Sequence, residues 1–335
     1  MSSSFKNFLQ YVVILGITVL LIFLSLRGLN VAEGENKWDY LNRTWETANK
    51  GWLLMMAIIA MVSHIVRAER WRMLLVPLGY NIKLRDSFYS LMVGYLVNLV
   101  IPRGGEVSRC YNLFKLDKTP VEVSFGTVVV ERIVDLFFLL LLIAVSFALE
   151  SQKLIAFIST LPFSISGNSK FRILLYVIPA GIIFILVCYW ILKKNKRLNQ
   201  VMLKTWNGFK EGLLSVFSLK RKGLFVFYSC LIWALYFVMS YAVLRAFPTT
   251  SELGFSAVLS IFAIGAIAMA APLPGGTGSY HVLVPQGLFF LYHIPLNDAV
   301  AFTFIFHGWQ TAIFIVFGAL SLFITSYLVK KNALK

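Results

Sequence analysis

Acidic residues are scarce in this chain. Asp and Glu number 15 in 335 residues against 31 Lys and Arg, and charged residues of both signs reach only 14%. Soluble domains carry about a quarter of their residues as charge. With 59% hydrophobic residues and a mean hydropathy of +0.77, the composition excludes an ordinary soluble globule and indicates a polytopic membrane protein. A formal charge of +16 would suggest nucleic acid in a soluble chain. Here no compact basic domain carries it, so no nucleic-acid partner is expected, and the cations are read loop by loop.

Cysteine and histidine are also few. Cys110, Cys188 and Cys230 lie far apart, the latter two inside apolar runs, which leaves no disulfide framework and no paired metal-ligand spacing. The four histidines form no HExxH or similar arrangement, so neither a metal nor another cofactor is expected. A cleaved signal is not expected either. Phe8 to Leu26 is as long as a full span and no small-x-small site precedes Arg27, so it reads as the first transmembrane helix.

Apolar runs are what the chain has in abundance. Phe8 to Leu26, Trp52 to Val66, Ile133 to Leu149, Phe171 to Leu192, Gly223 to Leu244 and Ala299 to Leu328 read as six crossing helices of an all-α bundle. A crossing takes roughly 20 residues, so Trp52 to Val66 is short unless it extends toward Trp45 or Trp71. Two more runs, Phe88 to Ile101 and Phe255 to Ala271, stop at glycine-rich turns: Ile101-Pro102-Arg103-Gly104-Gly105-Glu106 and Pro272-Leu273-Pro274-Gly275-Gly276-Thr277-Gly278. At 1.5 Å per residue the first spans about 21 Å, short of a hydrocarbon core of about 30 Å. Both suit re-entrant half-helices. Irregular backbone at that depth survives only where it packs in protein or lines a wet cavity, so the two turns point to a binding site.

Charge placement orients the runs. Arg67 to Arg85 carries Arg67, Arg70, Arg72, Lys83 and Arg85 against Glu69, and Lys193 to Lys222 carries nine Lys and Arg against Glu211; the tail adds Lys330, Lys331 and Lys335. These regions are expected on the cytoplasmic side of the inner membrane, and the balanced segment Arg27 to Lys50 and Ala246 to Gly254, which holds only Glu252, outside. Six crossings place both termini in the cytoplasm. If both short runs crossed fully, Lys193 to Lys222 would fall outside, against the bias. Lys193-Lys194-Asn195-Lys196-Arg197 with Lys220-Arg221-Lys222 also suits anionic headgroups, although setting topology alone accounts for it.

The halves resemble each other. With Pro120 laid on Pro295, Arg132 falls on His307 and Asp135 on Gln310, and the glycine turns align after a short gap. The expected layout is one integral-membrane domain over residues 1–335 with inverted repeat units at 86–150 and 255–328, the site lying between discontinuous helices.

Glu131, Arg132 and Asp135 place three ionisable groups in an apolar stretch, with Arg132 and Asp135 at i, i+3. Such groups face a bundle interior and seek partners, of which Arg103, Glu106 and Arg109 are nearest in sequence. Guanidinium forks suit phosphate oxygens, so Arg103, Arg109 and Arg132 are candidate headgroup ligands oriented by Glu106, Glu131 and Asp135. A structural ion-pair cluster with no ligand is the alternative. Gly104, Gly105, Pro274, Gly275, Gly276 and Gly278 are the candidate hinges, where positive φ and close approach to backbone amides are allowed. His281, His307 and Gln310 are candidate ligand contacts from the second unit. His64 and His293 look interfacial.

Pro102-Arg103-Gly104-Gly105-Glu106-x-x-Arg109, Glu131-Arg132-x-x-Asp135 and Pro274-Gly275-Gly276-x-Gly278, in that order, resemble the lysylphosphatidylglycerol synthase transmembrane region family, also called the flippase-like domain family. The resemblance covers nearly the whole chain. In the multiple peptide resistance factor proteins such a domain is associated with moving aminoacylated phosphatidylglycerol between leaflets, and some relatives are described in connection with polyprenyl-phosphate sugar transfer. No synthase region is expected after Lys335, so aminoacyl transfer is not expected of this chain. Ser279-Tyr280-His281 stands where many relatives have an acidic residue, which bears on substrate and proton coupling.

The expectation is a protein that binds or translocates an anionic membrane lipid rather than an enzyme, with a synthase or a second copy as a conceivable partner. A membrane enzyme acting on lipid-linked phosphate sugars, with Glu106 or Asp135 as its carboxylate, and an accessory subunit whose charges only brace the fold are the alternatives.

Overall fold

The computed structural model describes residues 36–160, 196–271 and 273–333, together with Leu20, Phe23, Ser25, Leu26 and Leu29. Most of the expected span Phe8 to Leu26, all of Phe171 to Leu192, Cys188, Pro272 and Lys193 to Asn195 lie outside the described residues.

Ten α-helices make up the described chain, with no strand among the described residues: α1 (Lys37–Thr47), α2 (Lys50–Leu75), α3 (Leu84–Asn98), α4 (Gly104–Asp117), α5 (Val121–Thr160), α6 (Lys196–Leu214), α7 (Lys222–Ala246), α8 (Phe255–Ala270), α9 (Ser279–Tyr292) and α10 (Leu296–Ala333). The stretches Lys50–Leu78, Lys222–Ala246 and Leu296–Lys331 are long and apolar enough to cross a membrane.

Local chemistry sets the helix ends. Asn49 caps α2, its side-chain oxygen accepting from the Gly51 and Trp52 amides at 2.9 and 3.3 Å. Pro120 and Pro295 sit just before α5 and α10, where a missing N–H costs nothing, and their carbonyls accept the first helical bonds from Ser124 and Ala299. Between α3 and α4 the chain turns through Pro102 and Arg103, the latter left-handed at φ 60°. Between α8 and α9 it turns through Gly275, Gly276 and Gly278 at φ 58°, 72° and 100°, a conformation glycine adopts without steric cost. Each broken run thus ends one helix and starts another.

The order of elements recurs. Helices of 26, 15, 14 and 40 residues (α2 to α5) are followed, after α6, by helices of 25, 16, 14 and 38 residues (α7 to α10). Packing follows the same pattern: α2 lies against α7, α3 against α10, and α8 against α5. Each helical pair therefore leans on the long helix of the other half. With Pro120 on Pro295, the N-cap Arg103 falls on the N-cap Gly278, both at positive φ, and the left-handed C-cap Lys118 falls on the left-handed C-cap His293.

The largest apolar core gathers Leu53 and Met56 of α2, Val243 of α7, Ile261 and Ile264 of α8, Val284 and Leu288 of α9 and Phe302 of α10. The first helical pair closes on glycine instead. A Cβ on Gly105 would lie 2.2 Å from the Gly94 carbonyl oxygen, so α3 and α4 pack backbone to backbone.

Candidate functional site

Five charged side chains converge where α2, α4, α5 and α7 meet. From α5, Glu131 and Asp135 point one turn apart toward α2, which presents Arg67 and Arg70 at i, i+3. Arg70 Nη2 lies 2.8 Å from Asp135 Oδ1 and 3.3 Å from Glu131 Oε1, and Arg67 Nη2 lies 2.9 Å from Asp135 Oδ2. From α4, Arg109 Nη2 donates to Glu131 Oε2 at 2.5 Å while its guanidinium sits 4.7 Å above the Trp71 ring. Trp71 is held in turn by its Nε1–H on Thr127 Oγ1 at 2.9 Å. Helix α7 completes the cluster with Ser229, 3.2 Å from Arg70, and Tyr236, 3.1 Å from Arg67. Glu131 and Arg70 have no exposed side-chain surface. In so dry a place each charge needs its opposite, since an isolated one costs several kcal/mol.

Arg132 points the other way along the same helix. Its side chain is 39% exposed and lies 3.3 Å from Glu106 Oε1 and 3.7 Å from Asp135 Oδ2. Glu106 Oε2 and Arg109 Nη1 are buried without a hydrogen-bond partner. Both belong to the first two turns of α4, on the side of the cluster where Arg132 opens to the exterior. Unsatisfied polar atoms at such depth are rare and call for an explanation.

Arg103 lies apart from this cluster. It is exposed, and its Nη2 donates to the carbonyl of Ala270, at the end of α8, at 2.7 Å. The second turn meets the first there: a Cβ on Gly275 would lie 3.0 Å from Leu99 Cδ2. Behind the second turn His307 Nε2 lies 3.1 Å from the Gly275 carbonyl, and His281 Nδ1 accepts the Gly278 amide at 3.3 Å. The two imidazoles face each other edge on at 4.8 Å, with Tyr280 stacked on His307. In the register that lays Pro120 on Pro295, His281 matches Glu106 and His307 matches Arg132. An ion pair in one half stands opposite a histidine pair in the other. Gln310, matching Asp135, is half-buried.

The far ends of the two helical pairs are tied by polar locks. Asn112 of α4 donates to Ser90 of α3 and Thr325 of α10, each at 3.2 Å. Glu150 of α5 accepts from Ser256 and Ser260 of α8, each at 2.9 Å, and from Tyr292 of α9. Glu150 and Thr325 also match in that register.

Arg67 and Arg70 were expected in a cytoplasmic loop and are buried instead. The signal was the length of Trp52 to Val66, which falls short of a span. Extending it to Trp71 carries both arginines inward. His64, expected at an interface, is buried between Tyr95 and Phe314. Among the described residues no three His, Cys, Asp or Glu gather in a metal-binding group. A surface groove of 440 Å³ is bordered by Ile65, Val66, Glu69, Arg72, Leu84 and Tyr228, none of which belongs to the cluster.

The profile of a family described as "Lysylphosphatidylglycerol synthase TM region" matches residues 8–318. The chain is 26% identical over 254 residues to a UPF0104 membrane protein of Methanothermobacter thermautotrophicus, covering 69% of this chain and 73% of that protein. It is 30% identical over 112 residues to a UPF0104 membrane protein of Methanocaldococcus jannaschii, covering 31% of this chain and 33% of that protein, so the chain spans a third of that relative's length. No solved structure matches it.

Proposed function

This chain belongs to the lysylphosphatidylglycerol synthase TM region family, and we propose that it binds an anionic phospholipid headgroup and moves it between leaflets. The path is a polar cavity between two re-entrant helical pairs, α3 with α4 and α8 with α9, in repeat units of opposite orientation. The protein sits in the cytoplasmic membrane, crosses it several times and keeps both termini inside. A single domain over residues 1–335 is part of this proposal, and the mutual packing of the two halves supports it.

The observation that carries this reading is the meeting of the two broken turns. Arg103 reaches the Ala270 carbonyl and Leu99 abuts Gly275, and Glu106, three residues after Arg103, pairs with an arginine that is still partly exposed, Arg132. A headgroup phosphate approaching there meets the Arg132 and Arg103 forks and the spare Nη1 of Arg109. Glu106 orients Arg132. Gly104, Gly105, Pro274, Gly275, Gly276 and Gly278 let the turns part, and His281, His307 and Gln310 line the opposite wall. Acyl chains stay in lipid throughout.

A second reading, in which the charges only brace the fold, is favoured for one part of the cluster. Arg67, Arg70, Glu131 and Asp135 pair with one another through the arginine Nη2 atoms, while Tyr236 and Ser229 of α7 take the Nη1 atoms, and we assign them to holding α2, α5 and α7 together. Reconstitution in vesicles with a fluorescent anionic phospholipid, read by chemical quenching of the outer leaflet, tests the proposal. Arg132→Ala and Arg103→Ala are expected to slow leaflet exchange at least tenfold while the protein still folds. Unchanged exchange in both folded variants extends the bracing role to the whole cluster.

A further inference from the structure

Helix α6 (Lys196–Leu214) carries three distinct faces. Gly208 and Gly212, one turn apart, form a seam against the start of α5: a Cβ on Gly212 would lie 2.1 Å from the Val123 carbonyl oxygen, and one on Gly126 would lie 2.3 Å from the Phe209 carbonyl oxygen. Gln200, Lys204, Asn207 and Glu211 recur at i, i+4, i+7, i+11 and make a polar face. Leu203, Trp206, Lys210 and Leu214 recur at i, i+3, i+7, i+11 on the side away from the seam, and all four are exposed. Trp206 is 59% exposed, and Phe217, just beyond the helix, is 73% exposed.

Helix α6 is too polar to cross a bilayer, with Lys196, Arg197, Lys204, Lys210 and Glu211 along it, yet its outer stripe is mostly apolar. Lys222, eight residues after its end, opens the crossing helix α7, which fixes α6 at the depth where the chain enters the bilayer. Its seam partner Val123 is near the first residue of α5. A helix at that depth with an apolar stripe, a tryptophan and flanking lysines has the makeup of one lying in the plane of the interface. The segment 193–222 holds nine Lys and Arg against one Glu, a complement to negatively charged headgroups.

We propose that α6 is an in-plane helix whose Leu203, Trp206 and Leu214 stripe docks on the anionic leaflet at the α5 and α7 entry points. Lys204, Lys210, Lys220, Arg221 and Lys222 provide the electrostatic attraction, and Lys210 lifts its ammonium to the headgroups from within the stripe. Because the glycine seam fixes α6 to α5 between Val123 and Gly126, shortly before Glu131, leaflet contact sets the depth at which α5 presents the charged cluster. This inference does not depend on what the cluster binds.

The test uses the full chain with Cys188 and Cys230 replaced by Ser, carrying a single polarity-sensitive dye at Leu203→Cys or Gln200→Cys. The protein is placed in nanodiscs of phosphatidylcholine, with or without one-third phosphatidylglycerol. The Leu203 dye is expected to be blue-shifted and quenched by lipids spin-labelled near the headgroup, the Gln200 dye to remain water-exposed, and the difference to grow with phosphatidylglycerol. In anionic discs Lys204→Glu and Lys210→Glu are each expected to weaken the docked state about fivefold, with the thermal transition retained to show folding. Equal wetness at both positions, or quenching indifferent to lipid charge, overturns the proposal. So does protection of Leu203 that rises with protein concentration, which assigns the stripe to a second copy.

Discussion

Glu131 meets two guanidinium groups, Arg70 at 3.3 Å and Arg109 at 2.5 Å, with none of its side chain exposed. Replacing it by Gln leaves two buried cations short of a counter-charge. Breaking a buried pair in this way costs about 3–5 kcal/mol, so Glu131→Gln is expected to lower the thermal transition in detergent sharply. Arg132, 39% exposed and paired with Glu106 at 3.3 Å, is a partly solvated bridge. Its replacement by Gln should cost no more than about 1 kcal/mol while slowing lipid exchange. A matched loss of stability in the two variants would refute the division into bracing and binding groups. Glu131, Arg132 and Asp135 were legible in the sequence because charges inside an apolar run must find partners. Arg67 and Arg70 were not, because positive charges that follow an apolar run read as a cytoplasmic flank until the length of the run is weighed.

Among elements, the α3–α4 pair rests on one close approach. Gly105 has no room for a methyl group: a Cβ there would fall 2.2 Å from the Gly94 carbonyl oxygen and 2.5 Å from the Asn98 amide. Asn98 also accepts the Gly105 N–H at 2.7 Å, which ties the two helices across the turn. Gly105→Ala is therefore expected to destabilise the protein by about 1–3 kcal/mol. Gly223→Ala, where a Cβ meets nothing within 4 Å, should stay within about 0.5 kcal/mol. Thermal unfolding of the two side by side checks this, and equal effects would remove the close approach as a cause. Both half-length helices were visible as apolar runs stopping at Pro and Gly, and Phe255 to Ala271 agrees with α8 to one residue. The partner helices α4 and α9 were harder to read. Their first two turns carry Glu106, Arg109 and His281, chemistry that marks a site more clearly than it marks a helix.

For the whole molecule, the decisive question is whether the two halves run in opposite senses. The recurrence of helix lengths, the crossed packing of α3 on α10 and α8 on α5, and the left-handed C-caps Lys118 and His293 at one register support related units. The sequence carried this relation only at Pro120 and Pro295 and at a few polar positions. The matching is otherwise one of backbone conformation and packing, with Glu106 and Arg132 in one half answered by His281 and His307 in the other, so that side-chain identity conceals it. Opposite orientation has a direct consequence. Lys118 and His293, both exposed, end the second helix of their respective pairs, and inversion puts those ends on opposite faces of the membrane. With Cys188 and Cys230 replaced by Ser and Cys110 buried, Lys118→Cys and His293→Cys can each be challenged in intact cells with a membrane-impermeant maleimide. His293→Cys is expected to react from outside, and Lys118→Cys only after the membrane is opened. Reaction of both from the same face would show two parallel units, leaving no shared midplane at which their broken turns could enclose a headgroup.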